Sequence, residues 1–333
     1  MVKVAIFNVK KQGDVQRVFD EARMNQLKTL YDVYPEVLLP TAEDLESAKD
    51  FLKDVKFIFS TWGMPRLSEE DIKKYLPKLE AVFYAAGSVK GFAPTFMNCG
   101  VKVFSAAQVN AIPVAEYVFA QIILANKGVW GMLTRPIDAR AAYFSNFPGN
   151  YEATVGLIGF GAIAHLLAKR LQTLNLKVLV YDPYISEEEA KEYGVTLTTL
   201  EDIFQNADII SNHLPDIPPV FYMLDSKYFN LMKPYATFIN TGRGREVVED
   251  DLISAMIAVP TRTAVLDVTF PEPPLPDSLL RTLPNVILTP HIAGSSGDEV
   301  HRMAVEMIEE SIRYQNGEPL KYYVSPEMLA KMA

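Results

Sequence analysis

Three short runs in the second half of the chain carry side chains suited to acid-base work on a small anion. Asn240-Thr241-Gly242-Arg243-Gly244 sets an arginine in a glycine-flanked turn just past a predicted strand. There a planar guanidinium either grips a carboxylate with two parallel hydrogen bonds or simply projects into solvent. Leu266-Asp267-Val268-Thr269-Phe270-Pro271-Glu272-Pro273 ends a strand in an acid and fixes Glu272 between two prolines, a rigid carboxylate or a solvated loop acid. Thr289-Pro290-His291-Ile292-Ala293-Gly294 places a histidine after another strand, where it is either structural or a group that gives and takes a proton near neutral pH. Upstream, Val155-Gly156-Leu157-Ile158-Gly159-Phe160-Gly161-Ala162-Ile163-Ala164 runs from an apolar strand through a G-x-G-x-x-A turn into a helix. Gly159 allows the tight turn, Gly161 lets a pyrophosphate approach the backbone, and Ala164 lets helix and strand pack closely. The first N–H groups of the helix, at Ala162 and Ile163, suit phosphates. A second strand ends about twenty residues on at Asp182, where a carboxylate accepts hydrogen bonds from an adenosine ribose and repels a 2′-phosphate. Together these features point to NAD rather than NADP.

Such groups need strands to hold them. Short β-branched runs alternate with amphipathic helical patterns over nearly the whole chain, which predicts an α/β protein with parallel sheets covered by helices. Strands are expected at Lys3–Phe7, Val55–Ser60, Ala81–Tyr84 and Val101–Phe104, then at Thr154–Ile158, Lys177–Tyr181, Asp208–Ser211, Thr237–Asn240, Thr263–Leu266 and Val286–Leu288. The second group makes a six-stranded unit. Helices are expected at Ala162–Leu174, Leu200–Asn206, Lys227–Met232, Glu249–Ile257 and Asp298–Tyr314, with Ser226 as an N-cap and Pro234 as a stop. A connecting helix is expected to begin near Ile112, with Pro113 in its first turn, and residues 134–150 read as an arm or loop. Glu187, Glu188 and Glu189 read as a solvated helix start.

The 333 residues suggest about two domains, because one core rarely grows beyond about 250–300 residues. The formal charge of −9 repels phosphate backbones and anionic lipid, so neither nucleic acid nor a membrane surface is an expected partner. Cys99 is the only cysteine, which excludes an intrachain disulfide and fits a reducing, cytoplasmic setting. The opening Met-Val-Lys-Val-Ala-Ile-Phe-Asn has no signal-peptide core, and the most apolar stretch, Val155–Ala164, is half a membrane span; neither export nor a spanning helix is expected. No metal-ligand cluster is evident, and His165 and His301, on helical patterns, are assigned no chemistry.

Taken in order and spacing, Gly159-x-Gly161 with Asp182, then Thr241-Gly242-Arg243-Gly244, Asp267-Val268 with Glu272-Pro273, and Pro290-His291-Ile292-Ala293-Gly294 resemble the D-isomer-specific 2-hydroxyacid dehydrogenase family. The resemblance implies a Rossmann-type NAD-binding domain over 111–295, inserted into a flavodoxin-like substrate domain made of 1–110 and 296–333. It implies that Arg243 holds the carboxylate and carbonyl of a 2-oxo acid, that His291 protonates the carbonyl oxygen as hydride arrives, and that Glu272 pairs with His291. Asp267 is implied to contact the nicotinamide side. Thr241, Gly242, Gly294 and the segment His213-Leu214-Pro215 are implied cofactor contacts, although Asp216-Ile217-Pro218-Pro219 departs from the family's usual run. In the first domain Gly87, Ser88 and Val89 are implied carboxylate-binding residues, followed by an unusual Lys90-Gly91-Phe92; Trp62 either lines the cleft or belongs to the core. Thr269 stands where an aromatic residue is common, and Glu116 is read as structural. The resemblance also implies a cleft between the domains and a homodimer contact through residues 120–150. The alternative reading is a nucleotide-sensing binding protein like the C-terminal-binding-protein corepressors, which share the fold and the trio. Formate dehydrogenase is disfavoured by Glu272, and the L-specific lactate and malate dehydrogenases by the late position of the glycine turn.

Overall fold

The computed structural model describes residues 1–10, 13–39, 41–133 and 146–332. Two compact units divide the chain, Met1–Asn110 with Ser295–Met332, and Ala111–Gly294. Both are α/β, with wholly parallel sheets of five and seven strands.

In the first unit β1 (Lys3–Phe7), β2 (Asp32–Leu38), β3 (Val55–Ser60), β4 (Ala81–Tyr84) and β5 (Lys102–Ser105) lie in the order β2-β1-β3-β4-β5. Successive residues of the inner strands enter opposite cores. Ala5, Phe7, Ile58 and Val82 face one cluster, while Val4, Ile6, Phe57, Phe59 and Phe83 face the other. This two-sided burial is what near-continuous apolar runs in a parallel sheet require. On the second face the Phe83 ring stacks between Phe59 and Phe104, with centroids at 5.2 and 4.8 Å. The helix Val300–Asn316 covers that face with Val300, Met303, Ala304, Met307 and Ile308.

The second unit contains β6 (Tyr151–Ile158), β7 (Asn175–Tyr181), β8 (Thr196–Leu197), β9 (Ile209–Asn212), β10 (Thr237–Asn240), β11 (Thr263–Leu266) and β12 (Val286–Leu288), in the order β12-β11-β10-β9-β6-β7-β8. The chain runs outward from β6 in one direction and restarts beside it at β9, so the switch point where ligands bind in such sheets lies between those two strands. β6 and the helix Leu200–Asn206 are close enough that a Cβ on Gly156 would stand 2.4 Å from Ile203 Cγ2.

Several expectations are corrected. β2 and β8 were not expected: β2 is an edge strand interrupted by Pro35 in which only Leu38 is buried, and β8 has two residues, so neither shows a buried alternation. The connecting helix starts at Ala107 rather than near Ile112, because Ser105 Oγ accepts the Ala107 N–H at 3.1 Å and opens the helix early, leaving Pro113 inside it. Asp225, not Ser226, is the N-cap of the short helix Ser226–Phe229 and accepts the Lys227 N–H. The helix Ala107–Asn126 is also long and apolar enough to cross a membrane by length and composition, contrary to the sequence reading. The core helix of a globular domain passes the same test, and Val114, Val118 and Ile122 of this one share a core with Val155 and Leu157 of β6. Of the loop expected over 134–150, residues 134–145 lie outside the described residues.

Candidate active site

The glycine turn after β6 has the shape its residues demand. Gly159 sits at φ 86°, a left-handed conformation, with the His213 carbonyl oxygen only 2.8 Å from where a Cβ would be. Gly161 precedes the helix Ala162–Leu171 without a side-chain cap, and a Cβ there would meet no atom within 4 Å. The backbone at Gly161 is thus open at the start of that helix, whose first N–H groups, at Ala162 and Ile163, have no partner within the helix, which fits a pyrophosphate. Asp182, one residue past β7, is tied to the same turn: its Oδ2 accepts the Phe160 N–H at 2.7 Å and its Oδ1 the Tyr184 N–H at 2.8 Å. Across the switch point, His213 has its Nε2 at 3.0 Å from Ser211 Oγ, while its buried Nδ1 has no partner among the described residues. Burial pushes the His213 imidazole down to about 4, so the ring is neutral at pH 7. Pro215, half-buried, follows it. These features fit a bound dinucleotide.

The Arg243 turn follows β10. Asn212 and Asn240 close β9 and β10 at the same register, and their amides meet, Asn212 Nδ2 donating to Asn240 Oδ1 at 3.1 Å. Asn240 Oδ1 also accepts the Gly242 N–H at 3.0 Å, and Asn240 Nδ2 donates to the Arg243 carbonyl at 3.1 Å. Thr241 is buried with its hydroxyl unpartnered among the described residues. Gly244 has no room for a side chain: a Cβ would lie 1.9 Å from the Thr269 carbonyl carbon. Next to it the Arg245 guanidinium lies 4.4 Å from the centroid of the Phe270 ring. The Arg243 turn is therefore pressed directly onto the segment that leads to Glu272.

Glu272 and His291 meet. Nδ1 of His291 lies 2.7 Å from Glu272 Oε1, and because a carboxylate can only accept, Nδ1 carries the hydrogen and Nε2 is left for chemistry. Both side chains are partly exposed, at 48% and 41%, so the pair is open to a ligand. The backbone of His291 is left-handed, φ 54°, a conformation unusual for a residue with a side chain. Asp267 holds it there. This acid, 2% exposed, accepts the Ile292 N–H at 2.8 Å, the Ala293 N–H at 2.9 Å and the Thr289 hydroxyl at 2.6 Å, while its carbonyl takes the His291 N–H at 3.0 Å. Tyr117 OH in turn meets Thr289 Oγ1 at 3.0 Å. Gly294 ends the unit just after this turn.

In the first unit, the loop after β4 carries Gly87, Ser88 and Val89. Ser105 Oγ donates to the Gly87 carbonyl at 2.6 Å, and the Val89 carbonyl accepts the Phe92 and Ala93 N–H groups. Val89 is fully buried and Ser88 exposed. Trp62 is half-buried against both cores of that unit, with the Arg17 guanidinium 5.2 Å from its ring centroid.

Sequence reasoning left out Asn212 and Glu246, and quoted Asn240, Gly244 and Thr289 only as the surroundings of Arg243 and His291. The asparagines had a legible signal, since each is the last residue of a strand, at the edge where ligands of such sheets bind. Glu246 had none: it falls among Glu249, Asp250 and Asp251 in an acidic stretch, yet is 0% exposed.

Comparison with known proteins agrees with this geometry. Residues 135–293 match the NAD-binding domain of the D-isomer specific 2-hydroxyacid dehydrogenases. YoaD of Bacillus subtilis (strain 168), assigned by its name to the 2-hydroxyacid dehydrogenases, is 33% identical over 262 residues, 77% of this chain and 72% of YoaD. D-3-phosphoglycerate dehydrogenase of Synechocystis is 32% identical over 219 residues, which span 65% of this chain but only 39% of that longer protein. The NAD-complexed D-isomer specific 2-hydroxyacid dehydrogenase of Lactobacillus delbrueckii ssp. bulgaricus shares the fold, with a TM-score of 0.77 at 21% identity over 97% of this chain and 100% of its own. The glycine turn, the arginine turn and the carboxylate-histidine pair thus sit in a chain that belongs to the D-isomer specific 2-hydroxyacid dehydrogenase family.

Proposed function

We propose that this protein interconverts a small 2-oxo acid and the corresponding D-2-hydroxy acid, using NAD(H). The observation that carries this reading is the 2.7 Å contact between His291 Nδ1 and Glu272 Oε1, which fixes the ring and leaves Nε2 for chemistry. A nicotinamide dinucleotide, when bound, supplies or takes the hydride. The chain's own residues do the rest. In reduction His291 gives its Nε2 proton to the carbonyl oxygen, on which negative charge develops; in oxidation the neutral imidazole takes that proton from the hydroxyl. Arg243 grips the carboxylate and stabilises charge growing on the neighbouring oxygen, so it acts on turnover as well as on binding. Asp267 contributes through the turn it holds, and Gly87 and Ser88 are proposed to offer backbone N–H groups to an anionic substrate.

Preference for NAD over NADP belongs to the same proposal. Asp182 directly follows β7, where its carboxylate would repel a 2′-phosphate. A homodimer in a cytoplasmic setting completes it; light scattering at micromolar concentration is expected to give twice the 37.3 kDa chain mass, and a monomer would overturn that part.

The test is oxidation of NADH and NADPH across a panel of 2-oxo acids by the wild type, Arg243→Ala and His291→Ala. Rapid turnover with NADH, slower with NADPH and lost in both variants, is the expected result. Tight NADH binding without reduction of any acid would overturn it in favour of a nucleotide-sensing protein of the corepressor kind.

A further inference from the structure

We propose that Glu246 is a positioning residue for Arg243, fixing the turn from which the guanidinium projects and tying it to Asn212 at the end of β9. The inference rests on the role given to Arg243 above. Glu246 Oε2 accepts the Arg243 N–H at 3.1 Å and the side-chain amide of Asn212. The Arg243 carbonyl is taken by Asn240, so both backbone polar groups of the arginine are held by side chains of one web. The Arg243 Nη1 closes the turn on the Gly242 carbonyl at 2.8 Å. Room is tight beneath it: a Cβ on Gly242 would stand 2.8 Å from Glu246 Oε2. The main chain at Glu246 is anchored from the other side, where Tyr222 and Leu224 donate to the carbonyls of Arg245 and Glu246 at 2.7 and 2.9 Å.

An acid buried at this place is not needed to fill space, which leucine would do without a polar atom to satisfy. Burial pushes the Glu246 carboxyl up to about 8 against the pull of Arg243. The charges that face it among the described residues are Arg243 on its own turn and Asp216 on the loop after β9, the latter raising it further. With its carboxyl raised to about 8 the group is mainly protonated at pH 7, and Oε2 accepts both bonds. Ionisation would set a negative charge behind Arg243 and offset part of its attraction for the substrate carboxylate.

The oxidation direction isolates this effect. There His291 takes the proton as the base, so a loss of kcat/KM above about pH 8 is assigned to Glu246. The experiment measures kcat and KM for the 2-hydroxy acid with NAD between pH 6 and 9.5 in the wild type, Glu246→Gln and Glu246→Leu. It also follows the Arg243 amide resonance in ¹⁵N-arginine-labelled protein, assigned with Arg243→Lys. Expected are an alkaline limb in the wild type that is absent in Glu246→Gln, and a KM raised about tenfold or more in Glu246→Leu that glutamine largely rescues. The Arg243 amide should titrate with the same midpoint in the wild type and stay fixed in Glu246→Gln. Unaltered KM in Glu246→Leu, or an Arg243 amide that does not titrate in the wild type, would overturn the proposal. Absence of turnover with every acid would instead count against the redox reading, and the amide titration would then decide the role of Glu246 alone.

Discussion

Two side chains of the second unit should write themselves into its pH-stability curve with opposite signs. His213 is pushed down to about 4 when folded, from an ordinary 6.5. As pH falls below 6.5 the unfolded chain gains a proton that the folded one refuses, and stability drops down to about pH 4. Glu246 is pushed up to about 8, from 4.5. Between those values the folded chain keeps a proton that the unfolded chain has released, so stability falls as pH rises. Each effect is of the order of a few kcal/mol, at about 1.4 kcal/mol per pKa unit. Urea midpoints measured against pH should show Glu246→Gln gaining on the wild type from pH 4.5 to 8, and His213→Asn gaining on it below pH 6.5. Parallel curves would remove the assignments. Residue identity was the most legible level of the sequence wherever glycine, proline or strand ends marked a position, as at Arg243, Glu272 and His291. It failed for Glu246, whose burial depends on β9 and β10 lying side by side, a fact no local spacing contains.

At the scale of elements, close approach decides more than propensity. The arginine turn can touch the Thr269–Phe270 segment only because residue 244 lacks a side chain. Gly244→Ala must move one of the two loops by more than a bond length, destabilising the unit by about 1–3 kcal/mol. A displacement of about 1 Å at a reacting group lowers kcat/KM by about 10²-fold. Steady-state kinetics together with urea unfolding check this; a variant as active as the wild type would show that the loops are not coupled through this contact. The inner strands β1, β3, β4, β10 and β11 were legible to the residue, since two-sided burial demands uninterrupted apolar runs. The edge strand β2 was not, because Pro35 interrupts it and only Leu38 is buried, which gives no periodic signal. The early start of the helix at Ala107 depends on the Ser105 hydroxyl, a cap whose effect outweighs the start signal of Pro113.

For the whole molecule, the sheet order β12-β11-β10-β9-β6-β7-β8 gathers the ends of β6, β7, β9 and β10, and with them the glycine turn, Asp182, His213 and Arg243, at the carboxyl edge of one sheet. The turn after β12 adds His291, and the loop after β11 adds Glu272. This convergence was expected from alternating strands and helices, but the bond between the last two groups was implied only by family resemblance. The proposed reaction depends on that pair acting as one proton-transfer device. Its most direct test is a double-mutant cycle on kcat/KM for the best 2-oxo acid at neutral pH, with Glu272→Gln, His291→Asn and the double variant, NADH affinity serving as control. His291→Asn should lose about 10²–10⁴-fold, with the double variant no slower than His291→Asn alone, because the carboxylate works only through the imidazole. Losses that multiply, or a His291→Asn variant within threefold of the wild type, would contradict it.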